Sequence, residues 1–143
     1  MQTIEEQFSM ALHNSARAYK QALNRRLRDL GVGQSGWLTI ALIARSNNSL
    51  SQVELSKLAG VEPPSMVPML DRLAKHGYVK RVASKSDKRI KLIALTANGK
   101  SLYKKIKSQA DLLRSELLSN LSKKELHTIV PLLERIYQAA EAN

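Results

Sequence analysis

Residues 50–73 can be read as only one kind of object: a short helix, a tight turn and a second short helix. Ser51 with Glu54 three residues on is a capping box that starts the first helix. Its Leu55 and Leu58 are expected to face inward, and Gly60 in Ala59-Gly60-Val61 permits the sharp turn. The second helix opens at Glu62-Pro63-Pro64, since proline is tolerated in a first turn. Its expected buried stripe is Met66, Met69, Leu70 and Leu73. Lys75-His76-Gly77 places cations and a glycine where a helix C-terminus favours them.

Behind this pair, 78–83 and 90–95 read as the strands of a hairpin whose tip is Ser84-Lys85-Ser86-Asp87-Lys88-Arg89. The chain carries a formal charge of +11. Between Lys75 and Lys91 seven bases stand against the single acid Asp87, so more than half of that charge sits on one element. A pI near 10.1 implies a polyanionic partner, nucleic acid or an anionic membrane surface. A helix-turn-helix followed by a cationic loop suits double-stranded DNA, with the second helix in the major groove and the loop on the backbone or minor groove beside it.

The remaining residues extend the helical pattern. Ile4, Phe8, Leu12, Tyr19, Leu23, Leu27 and Leu30 recur at helical steps, so the first ~25 residues predict a long amphipathic helix ended by Gly31-Val32-Gly33. Ser35 is a candidate cap for the next helix, with Trp37, Leu38, Ala41, Leu42 and Ile43 as its apolar set. Asn47-Asn48-Ser49 is a turn. Thr96 caps a helix carrying Leu102, Ile106, Leu113 and Leu117. Ser122 with Glu125 opens a last helix bearing Leu126, Ile129, Val130, Leu133, Ile136 and Tyr137, in which Pro131 is expected to introduce a kink. The expected fold class is mainly α with a small antiparallel β-hairpin.

The 143 residues read as a single domain. Residues 35–96 form a DNA-binding lobe, flanked by helices at 1–30 and 97–143. Both flanks are apolar over many turns, and the leucines at 112, 113, 117, 118 and 121 add to that surplus. This favours a helical interface with a second copy, the alternative being packing within one chain. No apolar run approaches ~18 residues, so no membrane span is expected. The acidic, polar start is unlike a signal peptide, and a cytoplasmic protein is the simplest reading. With no cysteine there is no disulfide, thiolate metal site or thiol switch. His13, His76 and His127 lie far apart, and no phosphate-binding glycine loop, paired-histidine metal motif or nucleophile elbow is present. Neither an enzyme nor a cofactor or metal requirement is expected.

The runs Leu50-Ser51-Gln52-Val53-Glu54-Leu55-Ser56-Lys57-Leu58-Ala59-Gly60-Val61 and Leu70-Asp71-Arg72-Leu73-Ala74-Lys75-His76-Gly77-Tyr78-Val79-Lys80-Arg81, with Ser86-Asp87-Lys88-Arg89 and Leu95-Thr96-Ala97-Asn98-Gly99, resemble the MarR (multiple-antibiotic-resistance regulator) family of winged-helix transcription factors and, within it, the SlyA-like branch. The most specific part is the wing signature: an aspartate, an arginine two residues later, and a Leu-Thr-x-x-Gly entry into the next helix. The resemblance covers essentially the whole chain. It implies a homodimer joined by its terminal helices, reading a pseudo-palindromic operator, often as a repressor released by a small aromatic or anionic effector.

Residue roles follow from the two readings together. Arg89 is implied to enter the minor groove, where a narrow groove concentrates negative potential. Asp87 is expected to pair with Arg89 and fix its direction; the alternative is a solvated tip with one balancing acid. Lys85 and Lys88, with Ser84 beside them, would meet the backbone without reading sequence. Ser51 and Gln52 could donate to phosphate at a helix N-terminus, a role that can coexist with plain capping. On the second helix the face opposite the buried stripe shows Pro64, Pro68 and Asp71, flanked by Ser65 and Arg72. The family usually has a polar or basic residue at the position of Pro68. Direct readout is therefore expected from Ser65 and Arg72, with Pro64 or Pro68 packing on thymine methyls and much reliance on DNA shape. Non-specific, nucleoid-type binding and a protein-interaction role remain as alternatives. His13, Arg17 and Trp37 are candidates for an effector pocket, beside the plainer reading of a core tryptophan and two surface cations.

Overall fold

The computed structural model describes residues 1–143. Six α-helices and one two-stranded sheet follow in the order α1 (Ile4–Leu27), α2 (Gly33–Arg45), α3 (Gln52–Ala59), α4 (Pro63–Lys75), β1 (Val79–Ala83), β2 (Lys91–Leu95), α5 (Ala97–Leu117) and α6 (Lys123–Glu141), with a 3-10 turn at Arg28–Leu30. This is the winged helix-turn-helix arrangement, mainly α with one antiparallel hairpin. The chain divides into two compact units, Met1–Asp111 and Leu112–Asn143, with α5 running from the first into the second.

The helix starts are set by short local hydrogen bonds. Ser51 and Ser122 each accept from the amide three residues on and have that residue's glutamate on their own amide, the capping boxes read from sequence. A third box, Thr3 with Glu6, opens α1 and carries the same signature. Ser35 does not cap α2. That helix begins at Gly33, behind Val32, with no side-chain cap, and the Ser35 carbonyl instead accepts the Thr39 hydroxyl at 2.7 Å. The reason lies in Gly31 and Gly33, both at positive φ, which turn the chain two residues earlier than a serine cap would.

The core of the first unit gathers Leu27, Ile40, Ile43, Leu55, Met66, Leu70, Leu73 and Ile93, all at most 2% exposed. Met69 is only half-buried, and Leu58 faces solvent at 57% exposure. With eight residues, α3 has room for little more than one inward turn, which Leu55 and Ser56 occupy. On α2 the buried face is Trp37, Thr39, Ile40 and Ile43, while Leu38, Ala41 and Leu42 are half-exposed.

β1 and β2 pair antiparallel from Val79 with Leu95 to Ala83 with Lys91. Ser51 adds a single bridge to Leu92, and Ile93 N–H donates to the Leu50 carbonyl at 2.9 Å, so the start of α3 is pinned to the hairpin. The Asn48 side chain accepts the Leu95 amide at 3.0 Å. Asn47 and Asn48 both lie in the left-handed region, at φ 59° and 61°, which asparagine tolerates better than most residues.

In the second unit Leu113 is buried, but Leu117, Leu118, Leu121, Ile129, Val130, Leu132, Leu133, Ile136 and Tyr137 are all exposed. The same holds for Ile4, Phe8 and Met10 on α1. α6 continues through Pro131 to Glu141.

Candidate nucleic-acid interface

The α3–α4 turn is made at Gly60, φ +72°, whose amide closes on Lys57 while Val61 N–H returns to the Ser56 carbonyl at 3.0 Å. α4 then starts with Pro63 and Pro64 in its first two positions and Ser65 N–H on the Glu62 carbonyl. Met66, Leu70 and Leu73 fix its inward face, which leaves Pro64, Pro68, Asp71 and Lys75 as the outward stripe and Ser65 and Arg72 on the flank, all exposed. Pro68 sits inside the helix and has no N–H for the Pro64 carbonyl. The stripe therefore offers Lys75 as its one cation, and Arg72 lies against the Met69 sulfur at 3.3 Å. Asp71 is held by Arg81 of β1, with Nη2 on Oδ1 at 2.8 Å.

The hairpin tip is closed by Ser84 N–H on the Ile90 carbonyl at 2.8 Å and Ile90 N–H on the Asp87 carbonyl at 3.0 Å. Within it Asp87 takes three bonds from one residue: the Arg89 amide at 3.0 Å and Nε at 3.1 Å on Oδ1, and Nη2 at 3.0 Å on Oδ2. The bidentate fork sets the guanidinium plane while leaving the Arg89 side chain 91% exposed. The Arg89 side chain, then its amide, holds the Asp87 carboxyl below its ordinary value, and the carboxylate raises the Arg89 guanidinium in return. Lys85 and Lys88 are exposed on either side, and the Ser84 and Ser86 hydroxyls share a 3.0 Å bond.

Ser51 and Gln52 are half-buried at the start of α3. Ser51 is occupied as a cap: its hydroxyl accepts Glu54 N–H at 3.2 Å, and the Glu54 carboxylate accepts Ser51 N–H at 3.0 Å. Those bonds hold the Glu54 carboxyl below its usual range. Ser51, Gln52, the α4 stripe and the wing tip thus all lie between residues 51 and 89, on two helices and a hairpin. A match to the MarR family model spans residues 34–91, from α2 to the start of β2. The transcriptional regulator PA3341 is 34% identical, superposes with a TM-score of 0.90, and is matched over 95% of this chain and 99% of its own.

The chain belongs to the MarR family. E. coli MarR, solved as a mutant complexed with operator DNA, is 27% identical with a TM-score of 0.73 over 90% of this chain and 91% of that one. NadR, solved in complex with 4-hydroxyphenylacetate, is 25% identical with a TM-score of 0.81, over 95% and 96% of the two chains.

Of the three residues considered for an effector site, His13 and Arg17 stand one turn apart on α1 and Trp37 lies on α2. His13 and Arg17 are exposed on α1, with Arg17 reaching Gln21 at 3.4 Å. Trp37 is 8% exposed and its indole N–H donates to Asn24 at 2.7 Å. A cavity of about 130 Å³ lies elsewhere in this MarR-family lobe, between α1, α2 and the α3–α4 turn. Lys20 is its cation, Thr39 and Val61 help form its wall, and Ser65 and Met69 bring α4 to its edge. Sequence reasoning missed Lys20, one turn beyond Arg17, because nothing in its spacing marks it. It missed the Asp71–Arg81 pair for the same reason.

Proposed function

We propose that this MarR-family chain acts as a homodimeric, ligand-responsive repressor that reads a pseudo-palindromic operator. α4 enters the major groove of each half-site and the 84–89 wing enters the adjoining minor groove. The observation that carries this reading is Arg89: a fully presented guanidinium, aimed by both oxygens of Asp87, at the tip of a basic hairpin directly behind a helix-turn-helix. Lys85, Lys88 and Ser84 supply backbone contacts, Ser51 and Gln52 meet phosphate at the α3 N-terminus, and Ser65 and Arg72 touch base edges beside Pro64 and Pro68. The exposed apolar residues of α1, α5 and α6 support dimerisation, since scattered single side chains need no partner but runs of them do. A DNA-bound regulator of this kind works in the cytoplasm of a bacterium.

For the effector, the 130 Å³ cavity with Lys20 suits a small aromatic anion, and its wall includes the α4 residues Ser65 and Met69. The NadR complex shows that a related fold holds a hydroxyphenyl carboxylate. His13 and Arg17 stand on the same helix, Arg17 one turn before Lys20. Melting curves with a panel of aromatic carboxylates test this, and a shift abolished by Lys20→Ala is the expected result.

The operator reading is tested by incubating the protein with fragmented genomic DNA near physiological salt and sequencing what is retained. Enrichment of a few inverted-repeat fragments is expected, with Arg89→Ala weakening them by at least about tenfold. A second reading, non-specific binding, is favoured by Pro64 and Pro68 standing where donors would read bases. It predicts uniform retention and a steep salt slope with no preferred sequence.

A further inference from the structure

We propose that the Asp71–Arg81 ion pair is a brace that sets the wing's direction relative to α4, so that the major-groove and minor-groove contacts fall in register on one half-site. The inference rests on the operator reading above and adds a positioning residue pair to it. Four observations carry it.

First, β1 has little packing of its own. Of its five residues only Val79 is buried, and 80–83 are exposed. Its direction is fixed by its ladder with β2 and by whatever else grips it. Second, the link from α4 to β1 is three residues long, 76–78, and turns at Gly77, φ +81°, so β1 runs back along α4 and brings Arg81 within reach of Asp71. Third, Arg81 lies mid-strand opposite Ile93 and reaches back ten residues to the outward face of α4 at 2.8 Å. Fourth, the pair is exposed, with side-chain exposures of 34% for Arg81 and 62% for Asp71. An exposed ion pair adds little to folding stability, so the bond makes more difference to direction than to whether the chain folds. Asp71 is also an acid on a stripe that faces a polyanion. Alone there it would repel phosphate, and Arg81 neutralises it.

Charge and bracing predict opposite signs. Removing an acid from a DNA-binding face should tighten binding if charge alone matters. If the pair is a brace, Asp71→Ala weakens specific binding despite the gained positive charge. The experiment is a double-mutant cycle of Asp71→Ala, Arg81→Ala and both together, read by affinity for the operator and for random duplex, with Asp71→Asn as a second probe of the acid. Dimethyl sulfate protection then reports guanine N7 in the major groove and adenine N3 in the minor groove separately.

Either single variant is expected to lose about tenfold on the operator, and the double variant no more than either single. Random duplex should be bound unchanged or more tightly, and melting temperatures should stay at the wild-type value. Adenine N3 protection under the wing should fade before guanine N7 protection under α4. Tighter operator binding by Asp71→Ala and Asp71→Asn overturns the brace and leaves Asp71 as a mere repulsive charge. Additive losses in the double variant also overturn it, since two independent DNA contacts would explain them. A wild-type protein that protects no site overturns the operator reading itself, an outcome visible before any variant is made.

Discussion

At the scale of single residues, two positions separate folding from reading. Gly99 carries the fold: a Cβ there would stand 2.0 Å from the Tyr78 carbonyl oxygen, a backbone atom that cannot rotate away. Gly99→Ala is expected to destabilise by about 3 kcal/mol, the upper end of what overpacking usually costs, measured by urea unfolding, because the start of α5 must shift away from Tyr78. Arg89 is proposed to carry the reading, and Arg89→Ala should leave that unfolding curve unchanged while operator affinity falls. Both positions were legible in the sequence, in the Leu-Thr-x-x-Gly entry and in the Asp-x-Arg of the wing. The partners of surface side chains were less so. Arg81 and Asp71 are ten residues apart and meet only because Gly77 folds the strand back along the helix. No periodicity announces such a contact.

At the scale of elements, caps and prolines do the shaping. Glu54 and Glu125 accept backbone bonds in their capping boxes, and Asp87 accepts those of Arg89; all three have carboxyls lowered from their ordinary values. A lowered folded value means the unfolded chain binds more protons, so this contribution is fully present above pH ~4.5, the usual glutamate value, and fades as pH falls through the folded value. The midpoint of thermal unfolding should therefore drop on acidification below pH 4.5, and more shallowly in a Glu54→Gln, Glu125→Gln variant. The serine–glutamate spacing made two of these caps legible, and the Thr3 box could have been read the same way. Ser35 misleads because backbone freedom at Gly31 and Gly33 outranks a hydroxyl. On α4, Pro68→Ala should stabilise by up to ~3 kcal/mol by restoring a helix hydrogen bond. Pro68→Arg should in addition tighten operator binding by about tenfold, since a good base contact is worth about 1–3 kcal/mol.

At the scale of the whole molecule, the exposed apolar residues of α1 and α6 are proposed to decide its state of association. Ile129, Leu133 and Ile136 recur at helical steps and are each 37–39% exposed. Leu133→Asp is expected to yield a monomer by light scattering and to lose operator affinity, because the paired half-sites no longer act together. The helical periods made these elements legible, but not which faces a single copy leaves uncovered. An apolar stripe looks the same in sequence whether it packs within one chain or waits for a second.

The hydrogen bond that holds the Gly99 amide has a consequence for how the protein is expected to age. Asn98-Gly99 is the dipeptide most prone to deamidate, because the glycine amide nitrogen can attack the asparagine side chain and close a succinimide ring. Here that amide donates to the Thr96 hydroxyl at 3.1 Å, and the Thr96 hydroxyl in turn donates to the Gly77 carbonyl. The nitrogen is held in a helix's first turn, unavailable to the ring closure. Isoaspartate should therefore build up only as fast as the turn opens, which makes its slow accumulation in stored protein a chemical clock for fraying between the wing and α5.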